Sequence, residues 1–470
     1  GLYGGQESDA AATLAVEATA KVAVQLARHF QEAGVVEKAI HYLHQAGERA
    51  VQLSAFREGI THLTRGLALL EAQPDPVDTD RRLERARQEL SLQLSLGLAW
   101  VGYTGYGPEV QKAHARAREL GQLWGETSQL CRVLHEMSVF HYVRAEHQRA
   151  RELAEETLSL ARKVEDPLLV ALGNWNLGFV LFTLSEYATA LVHLEQVIAF
   201  YDPKKHHRSF VAISGADAGP SALAYAASSQ WCLGYPDQAA KRSREALALA
   251  QEMAHPFTLA YTLAYAGCLF NNMLRDIQAF SSYAEELGPL TSEKLRGWLR
   301  SATWYRGQAL AMQGHFEQGI TEMREGMERK ESAPERCHQT SCLCTLAKAQ
   351  AKTGHLEDGL STLTETLAFV DQTDERYAEA EIHRVRAELL LMEGNETESE
   401  ASLLKALEVA RQQNAKSWEL RTTTSLARLW QKQGRAAEAR QALAEVYDWF
   451  TEGFDTPHRK EAKALLEDLS

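Results

Sequence analysis

The chain has 470 residues, with 50 Lys and Arg against 63 Asp and Glu, for a formal net charge of −13. That balance excludes bulk attraction to phosphate backbones, because sequence-independent nucleic-acid affinity comes from positive charge. No apolar run approaches the ~18 residues that a bilayer span requires, and a composition of 45% hydrophobic residues with only 11 prolines favours helix throughout.

In chain order, the start Gly1-Leu2-Tyr3-Gly4-Gly5 lacks Met and a basic n-region, so it does not read as a signal peptide. Residues 1–19 read as a tail, either the cut edge of a larger protein or a cloning remnant. A helical group follows over 20–72, with Ala39 and Gly59 as its small residues. Residues 73–80, which include Pro74 and Pro76, read as a linker. Residues 81–456 then read as about nine helix pairs, and 457–470 as a capping helix.

The pairs are marked by a spacing of forty. Ala239, Ala279, Gly319, Gly359, Ser399 and Ala439 form one series, and Ala227, Gly267, Gly307, Ala347, Ala387 and Ala427 a second. A third runs Gly234, Leu274, Gly314, Gly354, Gly394, Gly434, where a glycine that can adopt positive φ ends the first helix of a pair. Self-similarity at a fixed period is the signature of stacked repeats, each touching only its neighbours. From Ala190 to Ala239 the spacing is forty-nine, which predicts an inserted loop over 201–220.

Within Ala171–Asp202, Trp175, Leu177, Phe179, Val180, Leu181 and Leu184 mark one helix, and Tyr187, Ala190, Leu191, Leu194 and Val197 a second. Asn174, Leu177, Gly178, Leu181, Ser185, Tyr187, Ala190, Leu194 and Val197 occupy signature positions, so the segment resembles a tetratricopeptide (TPR) repeat. The resemblance implies an all-α, right-handed solenoid of antiparallel helix pairs, with longer helices than the standard repeat of about 34 residues. Four stretches are more specific: LARHFQEAGVVEKAIHYLHQAGERA, GYGPEVQKAHARARELGQL, LGYPDQAAKRSREALALAQEMAHPF and the ending from Leu426 to Leu466. They resemble the C-terminal repeat region of bacterial multidomain adenylate or guanylate cyclase–ATPase proteins.

The same resemblance implies a concave groove lined by the first helix of each pair. Its offsets select Arg132, His135, Val139 and Tyr142, then Trp175, Phe179 and Phe182, then Ser228 and Trp231. Tyr261, Asn271 and Asn272 follow, then Trp304 and Gln308. The last repeats contribute Lys348, Lys352, Arg384, Glu388, Arg421, Arg428 and Lys432. The middle of this groove is aromatic with amides and its end is mostly basic, which suits hot-spot recognition of a polypeptide. The alternative is that the aromatics pack between neighbouring repeats.

No catalytic signature is present: no phosphate-binding G-x-x-x-x-G-K-[ST], no G-x-S-x-G and no H-E-x-x-H. No cofactor motif and no tetrahedral metal set is expected. Cys337, His338, Cys342 and Cys344 do not share one helix face, and His206-His207 lies in the inserted segment. The six cysteines form no C-x-x-C pair, consistent with reduced thiols in a cytoplasmic protein. The reading is a non-enzymatic module that binds a protein or peptide in its groove and regulates a linked cyclase or ATPase, without nucleic-acid or membrane partners. A metabolite sensor, with a small molecule held near Asn271, Asn272 and Tyr261, is the alternative.

Overall fold

A computed structural model describes residues 22–124, 127–293, 295–328 and 336–470; the expected tail at 1–19 lies outside them. The described residues are helical, with no strand among them, and form a TPR-like α-solenoid. Nine antiparallel pairs run from Thr79 to Trp449, each with an inner and an outer helix. Two of the inner helices are enclosed nearly all round: Pro167–Thr183 buries 14 of 17 residues, and Ala218–Leu233 buries 14 of 16. By contrast, the outer helix Tyr187–Phe200 buries only Tyr187, Ala190, Leu194 and Val197, the stripe expected of a helix with one covered face.

The small residues of the repeat sit where paired helices cross. A Cβ on Gly307 would lie 2.6 Å from the backbone nitrogen of Met323 in the partner helix, so only glycine permits that approach. The corner glycines Gly314, Gly354, Gly394 and Gly434 have φ between +79° and +95°. At Leu274 the beat slips. A π-helical stretch, Leu263–Leu269, inserts one residue, and the left-handed corner falls on Arg275 at φ +61°. The packed position of the outer helix therefore passes from Ala279 to Phe280, which is fully buried.

Two expected boundaries change. The inserted segment is largely a helix, Pro203–Ser214, rather than a loop. Asp202 accepts a hydrogen bond from Lys204 N at 3.0 Å, Pro203 opens the first turn, and Gly215 ends the helix at φ +72°. The linker at 73–80 ends earlier than expected, because the helix Thr79–Thr104 starts beyond an Asp78 cap. The N-terminal group continues the array: Gly66 packs between Leu43 and Leu92, on either side of that linker.

The winding of the solenoid decides the rest. Five repeats after each of several inner helices, the chain returns to the end of that helix. Arg336 N and Cys337 N donate to Val143 O at 2.8 and 3.2 Å, and Arg376 N donates to Thr183 O at 2.9 Å. Ser417 Oγ donates to Trp231 O, and His458 Nε2 lies 3.2 Å from Met273 O. Gly297 likewise fits against the backbone of Val101 and Gly105. The acceptors are in the last turns of inner helices, where carbonyls lack partners within the helix. The donors stand at or just before the starts of later inner helices. Positive N-terminal ends thus meet negative C-terminal ends, turn upon turn. The terminal helix Pro457–Asp468 takes the last such place, burying His458, Arg459, Ala462 and Leu465.

Candidate binding clefts inside the superhelix

Because successive turns touch, the inner wall is not an open groove. Trp175, Phe179, Phe182, Trp231, Tyr142, His135 and Trp304 are all at most 3% exposed. Of the two readings of Trp175, Phe182 and Trp231, a recognition surface or packing within the array, their burial favours packing. Phe182 and Trp231 pack against side chains brought in from a later turn of the superhelix, and Trp175 against His135 and Ser221 of the neighbouring repeats. The Trp231 ring meets Trp418 edge-on at 4.7 Å, and Phe182 packs on Tyr377 at 5.4 Å. Tyr142 Oη lies 2.7 Å from His338 Nε2 and 3.0 Å from Thr183 Oγ1. Trp175 Nε1 donates to Ser221 Oγ at 2.7 Å, and the Trp304 backbone lies against Gly326 of its own partner helix.

The amides also part company. Asn271 is buried and donates from Nδ2 to Gly267 O at 2.7 Å, bonding a carbonyl of the π-helical stretch. Asn272 donates to Ser341 Oγ at 2.6 Å and faces a cleft in the C-terminal half, while Tyr261 lines a separate aromatic cavity. The single polar-ligand site expected from Asn271, Asn272 and Tyr261 is thus not assembled.

The C-terminal cleft has a volume of about 330 Å³, within the range of ligand sites. Four cations, Arg275, Lys348, Lys352 and Arg421, line it with one carboxylate, Glu381. Glu381 accepts from Arg384 at 2.7 and 2.9 Å and from Arg421 at 2.7 Å, and Lys348 Nζ lies 3.6 Å away. Burial alone would raise its pKa, but Arg384, Arg421 and Lys348 together hold it well below the ordinary carboxylate value. Burial pulls Arg421 and Lys348 downward, with Glu381 opposing. Arg421 Nε has no hydrogen-bond partner, and Lys352 is exposed. Of the basic residues expected at this end, Lys348, Lys352 and Arg421 come together here. Arg384 is buried behind them, held by Glu381 and Glu388, while Arg428 and Lys432 lie exposed outside the cleft.

The soft-ligand clusters resolve into packing. All six cysteines are buried free thiols, and burial pushes those of Cys342 and Cys344 well up. His338 joins the Tyr142 network, His206 stacks on Phe200, and His207 pairs with Asp217 at 2.6 Å. Among the described residues, no group of three or more His, Cys, Asp or Glu could hold a metal, and no helix is long and apolar enough to cross a membrane.

Fold and clefts together define a helical-repeat solenoid with an enclosed interior. No family model matches the chain. An uncharacterized protein of Rhizobium meliloti (strain 1021) is 24% identical over 431 residues, covering 86% of this chain and 39% of its own length. The chain thus spans well under half of that relative. Among solved structures, a Rap protein complexed with competence and sporulation factor superposes with a TM-score of 0.57 at 11% identity, covering 80% of this chain and 98% of that one. Aspartyl phosphate phosphatase F from Bacillus subtilis gives 0.44 at 13% identity, covering 80% and 95%. The first of these likenesses supports the fold.

Proposed function

We propose that the chain is a non-catalytic interaction module that takes an acidic polypeptide segment into the basic cleft of its C-terminal half. The observation that carries this reading is the cleft's charge: four cations line it with one carboxylate, in a protein whose net charge is −13. Although Arg275 pairs with Glu461 and Lys348 lies 3.9 Å from Glu388, Lys352 and the Arg421 Nε have no acid partner among the described residues. Such local inversion of sign steers acidic partners and rejects basic ones. The Rap structure of similar fold is complexed with a factor, which supports a helical-repeat solenoid as a binding architecture. In a longer parent protein, occupation of the cleft would regulate a linked cyclase or ATPase. The resemblance of the repeat segments to cyclase–ATPase proteins supports that second step.

The test uses a fluorescently labelled glutamate-rich decapeptide and its lysine-rich counterpart. The acidic peptide should bind saturably, the basic one should not, and Lys348→Ala with Lys352→Ala should weaken binding at least about tenfold, as expected for loss of two charge-assisted contacts. Equal affinity in the double variant would remove the cleft from the mechanism.

A further inference from the structure

The second cavity is of a different kind. It lies between the inner helices Thr127–Val143 and Pro167–Thr183, the helix beginning at Pro256, and the Gly297–Trp298 segment of the following turn. Its volume is about 60 Å³, room for about four to six water-sized groups. The walls are aromatic: Tyr142, Trp175, Phe179, Tyr261, Tyr265 and Trp298 all line it. Their rings are close-set, with Tyr261 4.5 Å from Tyr265, and Trp298 5.8 Å from Tyr261. Tyr265 belongs to the π-helical stretch, whose extra residue changes the angles at which side chains leave the helix, a distortion frequent at functional sites.

Among these rings sits one acid. Glu136 lines the cavity, is 3% exposed, and its Oε1 has no hydrogen-bond partner. His135 also lines it; neither ring nitrogen reaches a partner in hydrogen-bonding geometry, although Asn176 lies alongside. The imidazoles of His135 and His114 stand 3.9 and 3.8 Å from the Glu136 carboxylate, and Arg132 approaches the same group from its own helix. No Lys or Arg is among the lining residues. A buried carboxyl with an oxygen that accepts no hydrogen bond is costly and needs a reason.

We propose that this cavity is a binding site for a small organic cation, an alkylammonium or quaternary ammonium compound, held by the aromatic faces and by Glu136. Ring faces carry negative quadrupole potential, and a desolvated cation over several of them is attracted without a direct hydrogen bond. The carboxylate supplies the counter-charge that the rings cannot. Burial raises the Glu136 carboxyl to about 8 against the opposing pull of Arg132, so the bare site holds a neutral acid and an entering cation displaces its proton. The cavity is separate from the basic cleft and shares no lining residue with it, so the two sites can be tested independently.

The experiment follows tryptophan fluorescence of the full chain, reported by Trp175 and Trp298 in the wall, as tetramethylammonium is added. Tert-butanol serves as a neutral probe of similar size. Tetramethylammonium should give a saturable change and tert-butanol none. The near-isosteric Glu136→Gln should weaken the cation at least about tenfold, and Tyr261→Leu, at a half-buried position, about fivefold, with both variants folded by circular dichroism. Equal response to the two probes, or undiminished binding in Glu136→Gln, overturns the proposal. So does saturable binding of zinc that excludes tetramethylammonium, which would assign the site to the histidines rather than the rings. If Glu136→Gln fails to fold, Tyr261→Leu alone decides, and unchanged affinity there refutes the cage.

Discussion

Glu375 offers the sharpest test of how the starts of successive inner helices are tied together. It is fully buried in the segment preceding the inner helix Glu379–Glu393. Its carboxylate accepts from His338 N at 2.6 Å, Thr340 N at 3.1 Å and Thr340 Oγ1 at 2.8 Å, serving the orphan donors at the start of Gln339–Lys352. From the earlier turn, His147 Nε2 approaches to 3.6 Å. Burial opposes the charge, but these partners outweigh it and hold the carboxyl below its ordinary value. Glu375→Ala strips three buried donors of their acceptor. At about 1–3 kcal/mol for each buried group left unpaired, less the relieved cost of burying a charge, the loss is about 3–5 kcal/mol. Glu375→Gln keeps one acceptor oxygen and should cost about half as much. Urea denaturation measures the total, and hydrogen exchange at His338 and Thr340 localises it, which matters because solenoids need not unfold in one step. Exchange there should accelerate about a hundredfold or more in Glu375→Ala. A loss under about 0.5 kcal/mol, the scale expected for breaking the exposed Lys405–Glu408 pair, would refute the argument that Glu375 ties the start of one inner helix to the next.

Crossing glycines should rank by what their new methyl meets. Gly307→Ala meets backbone of the partner helix at 2.6 Å and should cost more than Gly178→Ala, which meets the flexible end of Leu194; equal midpoints in urea would contradict this. Gly314→Ala has open space around its Cβ but φ +95°, so only conformational strain of about 1 kcal/mol is expected. Acid should weaken the C-terminal half through its carboxylates. Glu381 is held far below 4.5 and Glu388 near 2, so the unfolded state binds more protons there, and this contribution is lost as pH falls from about 4.5 towards 2, below the window that opens near pH 6.5 for the buried neutral His114, His135 and His255; hydrogen exchange against pH checks the two windows. Glu136 has the opposite sign. With its carboxyl raised to about 8, the folded state holds the extra proton, and stability falls as pH rises. Between pH 6.5 and 8, above the range where buried histidines contribute, Glu136→Gln should flatten that decline; identical pH slopes would count against it.

Much of the architecture is legible along the chain because it is local. Helix periodicity and the small residues Gly178, Gly307 and Ala190 each concern contacts within a pair some sixteen residues apart, and the sequence carries them in a fixed register. The slip at Leu274 carries only a faint signal, a missing corner glycine, since a π-helical insertion changes hydrogen bonding without changing composition. The aromatic cavity is half visible in the sequence: the offsets select His135, Val139, Tyr142, Trp175, Phe179 and Tyr261, but not Glu136, Tyr265 or Trp298. Glu136 is one residue off the groove register, and Trp298 comes from the segment that opens the next turn.

The sequence by itself determined the repeat, the helix pairs and the basic character of the C-terminal wall. Tertiary structure alone decided that the aromatic stripe is interior. Whether Trp231 faces solvent depends on Trp418 and Ser417, 186 residues later in the case of Ser417, and on the pitch that brings them back. That pitch is the sum of many small rotations between neighbours, and no single repeat encodes it.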